Sequence, residues 1–216
     1  MPKHGFAKKM EFEVEKQSES SVVFLLKSTA QTLEVYPFEF EFRIKYEVLK
    51  NKLGITVSVK NMKNTPMYFS HGAHEGYSCP EGIEEYDVIF EETETLNSHK
   101  VNGVLISDEV KCILKEGKRL SLKTELFERD SAVFMDLKSR SVTLSKRSGG
   151  KNIKVNFPDY PFFILWTKPG AKYICIEPWC GMADVEGSSY DFTEKKGIVK
   201  LDGNGEIDLF HSIEFN

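Results

Sequence analysis

The sequence lacks several features that identify common classes of protein. Its only cysteines, Cys79, Cys112, Cys175 and Cys180, have no CxxC spacing, which argues against a zinc module or a thioredoxin-like redox motif. No apolar run is long enough to span a bilayer, and the first residues, MPKHGFAKKMEFEVEK, lack the apolar centre of a signal peptide. We therefore expect no membrane partner, a cytoplasmic location, and cysteines that are reduced and mostly buried.

The sequence also lacks a large excess of either positive or negative charge. The chain has 29 Lys and Arg against 33 Asp and Glu, so that its net charge is −4, and both signs are interleaved along the sequence. Nothing in this pattern matches the basic surface that phosphate backbones select, so we expect no nucleic-acid partner. With 216 residues, 40% of them hydrophobic, and no sign of a linker, the chain is predicted to form a single domain over residues 1–216.

Helical periodicity is not evident, whereas alternation of period two is frequent. From Phe38 to Val48, aromatic and aliphatic residues alternate without interruption with charged ones, as expected for a half-buried strand. The same alternation returns around Met10–Glu15, Ile55–Lys60 and Ile153–Phe157. Further strand-like runs are Ser21–Leu26, Val88–Phe90, Cys112–Leu114, Leu120–Leu126, Val142–Leu144, Phe162–Trp166, Tyr173–Ile176 and Ile207–Phe215. Many short strands separated by turn residues predict an all-β, antiparallel sandwich or barrel.

One candidate site is the segment FSHGAHEGYSCP, residues 69–80, which contains His71, His74 and Glu75. The zinc motif H-E-x-x-H needs a helix to bring its histidines together, and this segment has neither that order nor helix-forming residues between its histidines, so we expect no metal. Two interpretations remain, a solvated turn and a histidine that acts as acid or base.

A second candidate is Glu177 in AKYICIEPWCGMAD, at the end of an apolar strand. A carboxylate beside Ile176 and Trp179 loses hydration, and such an environment raises the pKa of a carboxyl group towards the range useful for proton transfer. Glu177 is therefore a plausible general base, although a glutamate at a strand end can also simply face water. Trp179 and Trp166 offer flat apolar surfaces suited to a sugar ring, but most tryptophans of β-domains belong to the core.

Asp130 and His4 are weaker candidates. Asp130 lies in LFERDSAVFMDLKSRSV, where a charged cluster precedes an apolar run, and Asp136 is a second carboxylate in the same segment. His4 stands in HGFAKK near the start of the chain. Taken alone, these residues are typical of turns and chain ends.

Taken together and in this order, HGFAK, FSHGAHEGYSCP, LFERDSAVFMDLKSRSV and ICIEPWCGMAD resemble the aldose 1-epimerase (galactose mutarotase-like) family. The similarity runs from His4 to about Asp208. It is greatest to bacterial members of uncertain sugar specificity, which are related to the hexose-6-phosphate 1-epimerases. The resemblance implies a β-supersandwich with a hexose bound in an open cleft, and a reaction that needs no cofactor and no metal.

The resemblance also implies roles for individual residues. Glu177 resembles the base that takes the proton from the C1 hydroxyl of the sugar, and His74 resembles the acid that protonates the ring oxygen. His4 and Asp130 resemble residues that bind the sugar, and Trp179 is expected to contribute to its binding. Asp130 is preferred to the nearby Asp136 for this role.

Members of the family normally have further strands ahead of HGFA, so we expect the sheet to lack these N-terminal strands and to favour a homo-oligomer. The leading prediction is an isomerase that acts on a free hexose. Alternatives are a non-catalytic carbohydrate-binding or sensing protein, an epimerase of hexose 6-phosphates and, less favoured, a glycosidase that pairs Asp130 with Glu177.

Overall fold

The computed structural model describes residues 4–128 and 130–216. Within them the backbone is mostly antiparallel β-structure, which confirms the predicted all-β class. The strands are β1 Glu13–Gln17, β2 Ser21–Lys27, β3 Phe40–Leu49, β4 Lys52–Asn61, β5 Met67–Phe69, β6 His71–Gly72, β7 Glu75–Ser78, β8 Tyr86–Asn102, β9 Leu105–Ser121, β10 Ala132–Phe134, β11 Ser141–Lys146, β12 Ile153–Asn156, β13 Phe162–Trp166, β14 Tyr173–Cys180, β15 Val199–Leu201 and β16 Glu206–Phe215.

One short α-helix, α1 at Ala30–Val35, was not predicted. It begins with a capping box, in which Thr29 Oγ1 accepts a hydrogen bond from Thr32 N and Thr32 Oγ1 accepts one from Thr29 N. No helix in the described residues is long and apolar enough to cross a membrane. Single-turn 3₁₀ helices occupy Ala7–Lys9, Ile83–Glu85, Thr124–Phe127 and Phe192–Glu194.

The chain divides into two compact units. Compactness does not show whether the two units fold as one domain, so the single domain expected from the sequence stays a prediction. The first unit runs up to Phe69 and includes Lys200–Ser212. Its strands are arranged in the order β1, β2, β3, β4 and β16. The predicted alternation holds here, because Phe42, Ile44 and Tyr46 of β3 pair with the apolar residues Val59, Val57 and Ile55 of β4.

The second unit comprises Ser70–Val199 and Ile213–Asn216. Its strand order is β12, β11, β8, β10, β13 and β14, with β9 also paired to β8 and with both β6 and β7 paired to β14. The predicted strand Leu120–Leu126 is only partly correct, because β9 ends at Ser121 and a 3₁₀ turn begins at Thr124.

Phe163 lies at the centre of the aromatic core of this unit. Its ring is stacked on Phe157, at 5.3 Å between centroids, and on Phe134 at 6.2 Å, and it meets Phe90 edge-on at 5.9 Å. All four residues are at most 2% exposed. Because neighbouring residues of a strand point to opposite faces, this core fixes which face of β13 is left for other contacts.

Asp87 connects three strands of the same unit through a buried carboxylate. It lies on β8 and is 2% exposed. Oδ2 accepts a hydrogen bond from Nη1 of Arg119 on β9 at 2.6 Å, and Oδ1 accepts one from Nε of Arg147, just after β11, at 2.9 Å. Burial alone would raise the pKa of Asp87, but the hydrogen bonds from Arg147, Arg119 and Ser121 outweigh it, so its pKa lies below the ordinary value.

We expect Asp87→Asn to lower the free energy of unfolding by about 2 kcal/mol at pH 7, because it removes the charge from two charge-assisted hydrogen bonds. A carboxyl group with a lowered pKa stabilises the fold above its ordinary pKa and loses this contribution as the pH falls through the lowered value. The difference in the free energy of unfolding between the wild type and the variant should therefore disappear below about pH 4. Urea unfolding curves at a series of pH values measure it.

The matched control is Asp202→Asn, because the side chain of Asp202 is exposed and pairs with Lys200 at 3.8 Å. Exposed pairs contribute little, so this variant should unfold like the wild type. Equal effects of the two substitutions at pH 7 would refute the role given to Asp87.

Candidate functional site

The site is organised around β14, which lies between β13 on one side and β6 and β7 on the other. The antiparallel register with β6 and β7 is constant, and the pairs are Trp179 with Gly72, Cys180 with His71, Ile176 with Glu75, Cys175 with Gly76, Ile174 with Tyr77 and Tyr173 with Ser78. The same register, continued through the gap between β6 and β7, places His74 opposite Glu177. A hydrogen bond from Ala73 N to Pro178 O, at 3.0 Å, keeps the backbones paired through that gap.

The two predicted catalytic residues lie together. Nδ1 of His74 is 3.5 Å from Oε1 of Glu177. The Glu177 side chain is only 2% exposed, whereas that of His74 is 42% exposed. A buried carboxylate therefore lies beside an imidazole that solvent and ligands can reach, in surroundings where exclusion of water strengthens electrostatic interactions.

The surface around Glu177 follows from strand alternation. Cys175, Glu177 and Trp179 lie two residues apart on β14 and therefore share one face. Directly opposite residues of an antiparallel pair also share a face, and the β13 partners of these three are Trp166, Ile164 and Phe162. Phe162 and Ile164 belong to a buried apolar cluster against which Trp179 packs. Glu177 is thus bordered by apolar side chains on one side and by His74 on the other.

Trp166 is a site residue that the sequence indicated only as a possible apolar surface. Its ring meets that of His74 nearly edge-on, with 6.0 Å between centroids. Its indole N–H donates a hydrogen bond to Oδ1 of Asp130 at 3.1 Å. Asp130 has a backbone φ of 84°, a conformation uncommon for residues other than glycine. The structure therefore brings Asp130 to the site through Trp166, while Asp136 is an exposed residue following β10.

Trp179 is fixed in place by its neighbours. Its indole N–H donates to the carbonyl of Ala73 at 3.3 Å. Gly72, its partner in register, leaves the space that the ring occupies, because a Cβ atom at position 72 would overlap Cδ1 of Trp179 and lie 2.8 Å from its Cγ. The glycine is therefore required by the close approach of the indole ring.

Cys175 was given no role by the sequence, yet it lies beside the predicted pair. Its sulfur, a carboxylate oxygen of Glu177 and a ring nitrogen of His74 all lie within 4.8 Å of one another, a grouping that can hold a metal ion. Burial, followed by the carboxylates of Glu177 and Glu75, raises the pKa of the Cys175 thiol to about 12. Without a bound cation the group is therefore a neutral thiol at physiological pH. The separation of about a hundred residues between His74 and Cys175 hides this grouping from a search for local motifs.

His71 points the other way. It is paired with Cys180 and lies an odd number of residues from His74, so it belongs to the opposite face of the sheet. Its Nδ1 is 3.2 Å from the hydroxyl of Tyr160, a fully buried residue whose pKa is raised chiefly by that burial. The two histidines of the segment thus have different environments, and only His74 faces Glu177.

His4 belongs to the first unit, where it is exposed and has a φ of 65°. His74, Glu177, Asp130 and Trp179 all belong to the second unit. The predicted participation of His4 in sugar binding stays a prediction.

Comparison with known proteins gives consistent results. The sequence model of a family described as aldose 1-epimerase matches residues 1–195. The chromosomal protein LacX of Lactococcus lactis subsp. lactis is 36% identical over 209 residues, which cover 92% of this chain and 70% of that protein.

Two solved structures are also similar. A galactose mutarotase related enzyme from Lactobacillus acidophilus superimposes with a TM-score of 0.90 and 29% identity, over 99% of this chain and 73% of that one. A galactose mutarotase-like protein from Lactobacillus casei gives a TM-score of 0.90 and 25% identity, over 99% of this chain and 76% of that one.

We expect Gly72→Ala to displace the indole of Trp179 and to lower the free energy of unfolding by about 1–3 kcal/mol, as overpacking of a close contact usually does. The emission of the two tryptophans should change at the same time, because the Trp179 ring must move. Urea unfolding followed by tryptophan fluorescence measures both effects.

Gly76→Ala is the matched control on the same face of the adjoining strand. A Cβ atom there would lie 3.7 Å from Cδ2 of Tyr173 and 3.8 Å from Sγ of Cys175, which is ordinary contact. If the two alanine variants were equally stable, Gly72 would not be required by the position of Trp179.

Proposed function

Because the chain belongs to the aldose 1-epimerase family, we propose that it interconverts the anomers of a free hexose by acid–base ring opening and reclosure. Its fold is the galactose mutarotase-like β-sandwich of its structural relatives. The observation that carries the proposal is the placement of the buried Glu177 carboxylate 3.5 Å from the exposed His74 imidazole.

The proposed reaction needs two proton transfers on either side of one carbon. Glu177 removes the proton of the C1 hydroxyl while His74 protonates the ring oxygen, so the bond between C1 and the ring oxygen breaks and an open-chain aldehyde forms. Rotation about the C1–C2 bond exposes the other face of the aldehyde, and reclosure with the protons returned gives the second anomer. Both oxygens are attached to C1, so an acid and a base that lie close together can reach them at once.

The surroundings of this pair support its assignment to a sugar substrate. Trp179 lies two residues from Glu177 on β14, Trp166 lies on the adjoining β13, and both share the face of Glu177; such rings bind the apolar faces of sugars well. In this proposal Asp130 has two roles: one carboxylate oxygen holds Trp166 in place, and the other binds a ring hydroxyl of the sugar.

The test is the optical rotation of freshly dissolved α-glucose and α-galactose, with spontaneous mutarotation subtracted. The wild type should accelerate the change, and Glu177→Gln or His74→Asn should each reduce kcat/KM by about 10²–10⁴-fold, because each removes one general acid or base. Glu92→Gln is the matched control, since Glu92 is an exposed glutamate on β8. It should leave the rate unchanged.

The possible outcomes separate the alternatives. If the wild type bound sugar saturably but did not accelerate mutarotation, the protein would be a carbohydrate-binding protein and not an enzyme. Acceleration confined to glucose 6-phosphate would refute the free hexose as substrate, and full activity in Glu177→Gln would refute the base.

A further inference from the structure

Three different metal-binding side chains converge at the candidate site. Cys175 and Glu177 lie two residues apart on one face of β14, and His74 lies opposite Glu177 in the register. One ligand atom from each lies within 4.8 Å of the other two, and the separation of His74 Nδ1 and Glu177 Oε1 is 3.5 Å. The geometry points to a binding site for a thiophilic divalent cation, represented by Zn²⁺, held by His74, Cys175 and Glu177.

The distances suit zinc. Bonds of about 2.3 Å to sulfur and about 2.0–2.2 Å to nitrogen and oxygen place the ligand atoms of a tetrahedral site about 3.3–3.6 Å apart. The separation of 3.5 Å between His74 Nδ1 and Glu177 Oε1 already falls in this range. The remaining pairs are at most 4.8 Å apart and reach this range when their separation shortens by about 1.2–1.5 Å at most.

The ligand chemistry selects the class of metal. A thiolate and an imidazole favour Zn²⁺ and other soft or borderline ions, whereas Mg²⁺ and Ca²⁺ prefer oxygen ligands. Binding of the ion releases the thiol proton of Cys175 to solvent, and the resulting thiolate and the Glu177 carboxylate together carry two negative charges, which the divalent ion offsets. Both side chains are buried, so this neutralisation removes the cost of leaving a negative charge in the interior.

The proposed site has three protein ligands and an accessible fourth position. His74 is 42% exposed, so an ion beside it can be approached from solvent. A bound ion would use the lone pairs of Glu177 and His74 that proton transfer requires. Bound zinc should therefore block mutarotation. This inhibition rests on the proposed function, whereas binding of the ion does not.

Binding is tested directly with the reduced, chelator-treated protein. Equilibrium dialysis should show one equivalent of Zn²⁺, retained in an excess of Mg²⁺, and Co²⁺ should give the thiolate-to-cobalt charge-transfer absorption. Cys175→Ser should abolish this absorption and weaken zinc binding by about 10-fold or more, since even loss of an outer contact to a metal ligand costs 10–100-fold.

Two further variants make the result specific. Cys112→Ser is the matched control, because Cys112 is an exposed thiol elsewhere in the chain, and it should bind zinc like the wild type. His74→Asn changes an exposed ligand and is a second test if Cys175→Ser fails to fold; it should also weaken binding by about 10-fold or more. Equal zinc binding by the wild type, Cys175→Ser and His74→Asn, or none by the wild type, would overturn the site.

A second readout separates this proposal from the proposed function. Zinc should inhibit mutarotation by the wild type, and a chelator should restore it. Mutarotation that continues at saturating zinc would overturn the competition. One equivalent of zinc bound through Cys175 by a protein that never accelerates mutarotation would refute the enzyme and support the metal site.

Discussion

The pairing register of β14 is the constraint on which the candidate site depends. Six residue pairs between β14 and the strands β6 and β7 follow one register, and this register places His74 opposite Glu177 although His74 itself lies in the gap between β6 and β7. The hydrogen bond from Ala73 to Pro178 preserves the alignment there. Two side chains more than a hundred positions apart thus meet through backbone pairing, and neither needs a flexible loop to reach the other.

The aromatic core determines which face of the sheet is available to a ligand. Phe163 is stacked between other phenylalanines, and its neighbours Phe162 and Ile164 on β13 therefore point to the face of Glu177. The same alternation separates the two histidines of the FSHGAHEGYSCP segment. His71 contacts Tyr160, and His74 faces the carboxylate. Residues that face the candidate site and residues that face the opposite side of the sheet thus alternate along the same short strands.

The sequence predicted the all-β class well because alternation is a local signal, and β3 and β4 show it almost without interruption. It missed α1, whose start depends on two threonines rather than on an amphipathic pattern. The motifs singled out His74 and Glu177, and the two-residue spacing on β14 places Cys175 on the face of Glu177, but nothing local could show that His74 lies beside Cys175 or that Asp130 holds Trp166. Those contacts arise from tertiary pairing, which no window along the chain contains.

The alternation along β14 also limits how this strand can change during evolution. Cys175, Glu177 and Trp179 face one way and Ile174, Ile176 and Pro178 the other, with the apolar core behind the second set. Inserting or deleting one residue within the strand would turn Glu177 into that core and bring Ile176 to face His74. Related chains can therefore vary this strand by substitution, whereas changes of length belong in the Lys168–Lys172 turn that precedes it, which contains Gly170 with a φ of 76°.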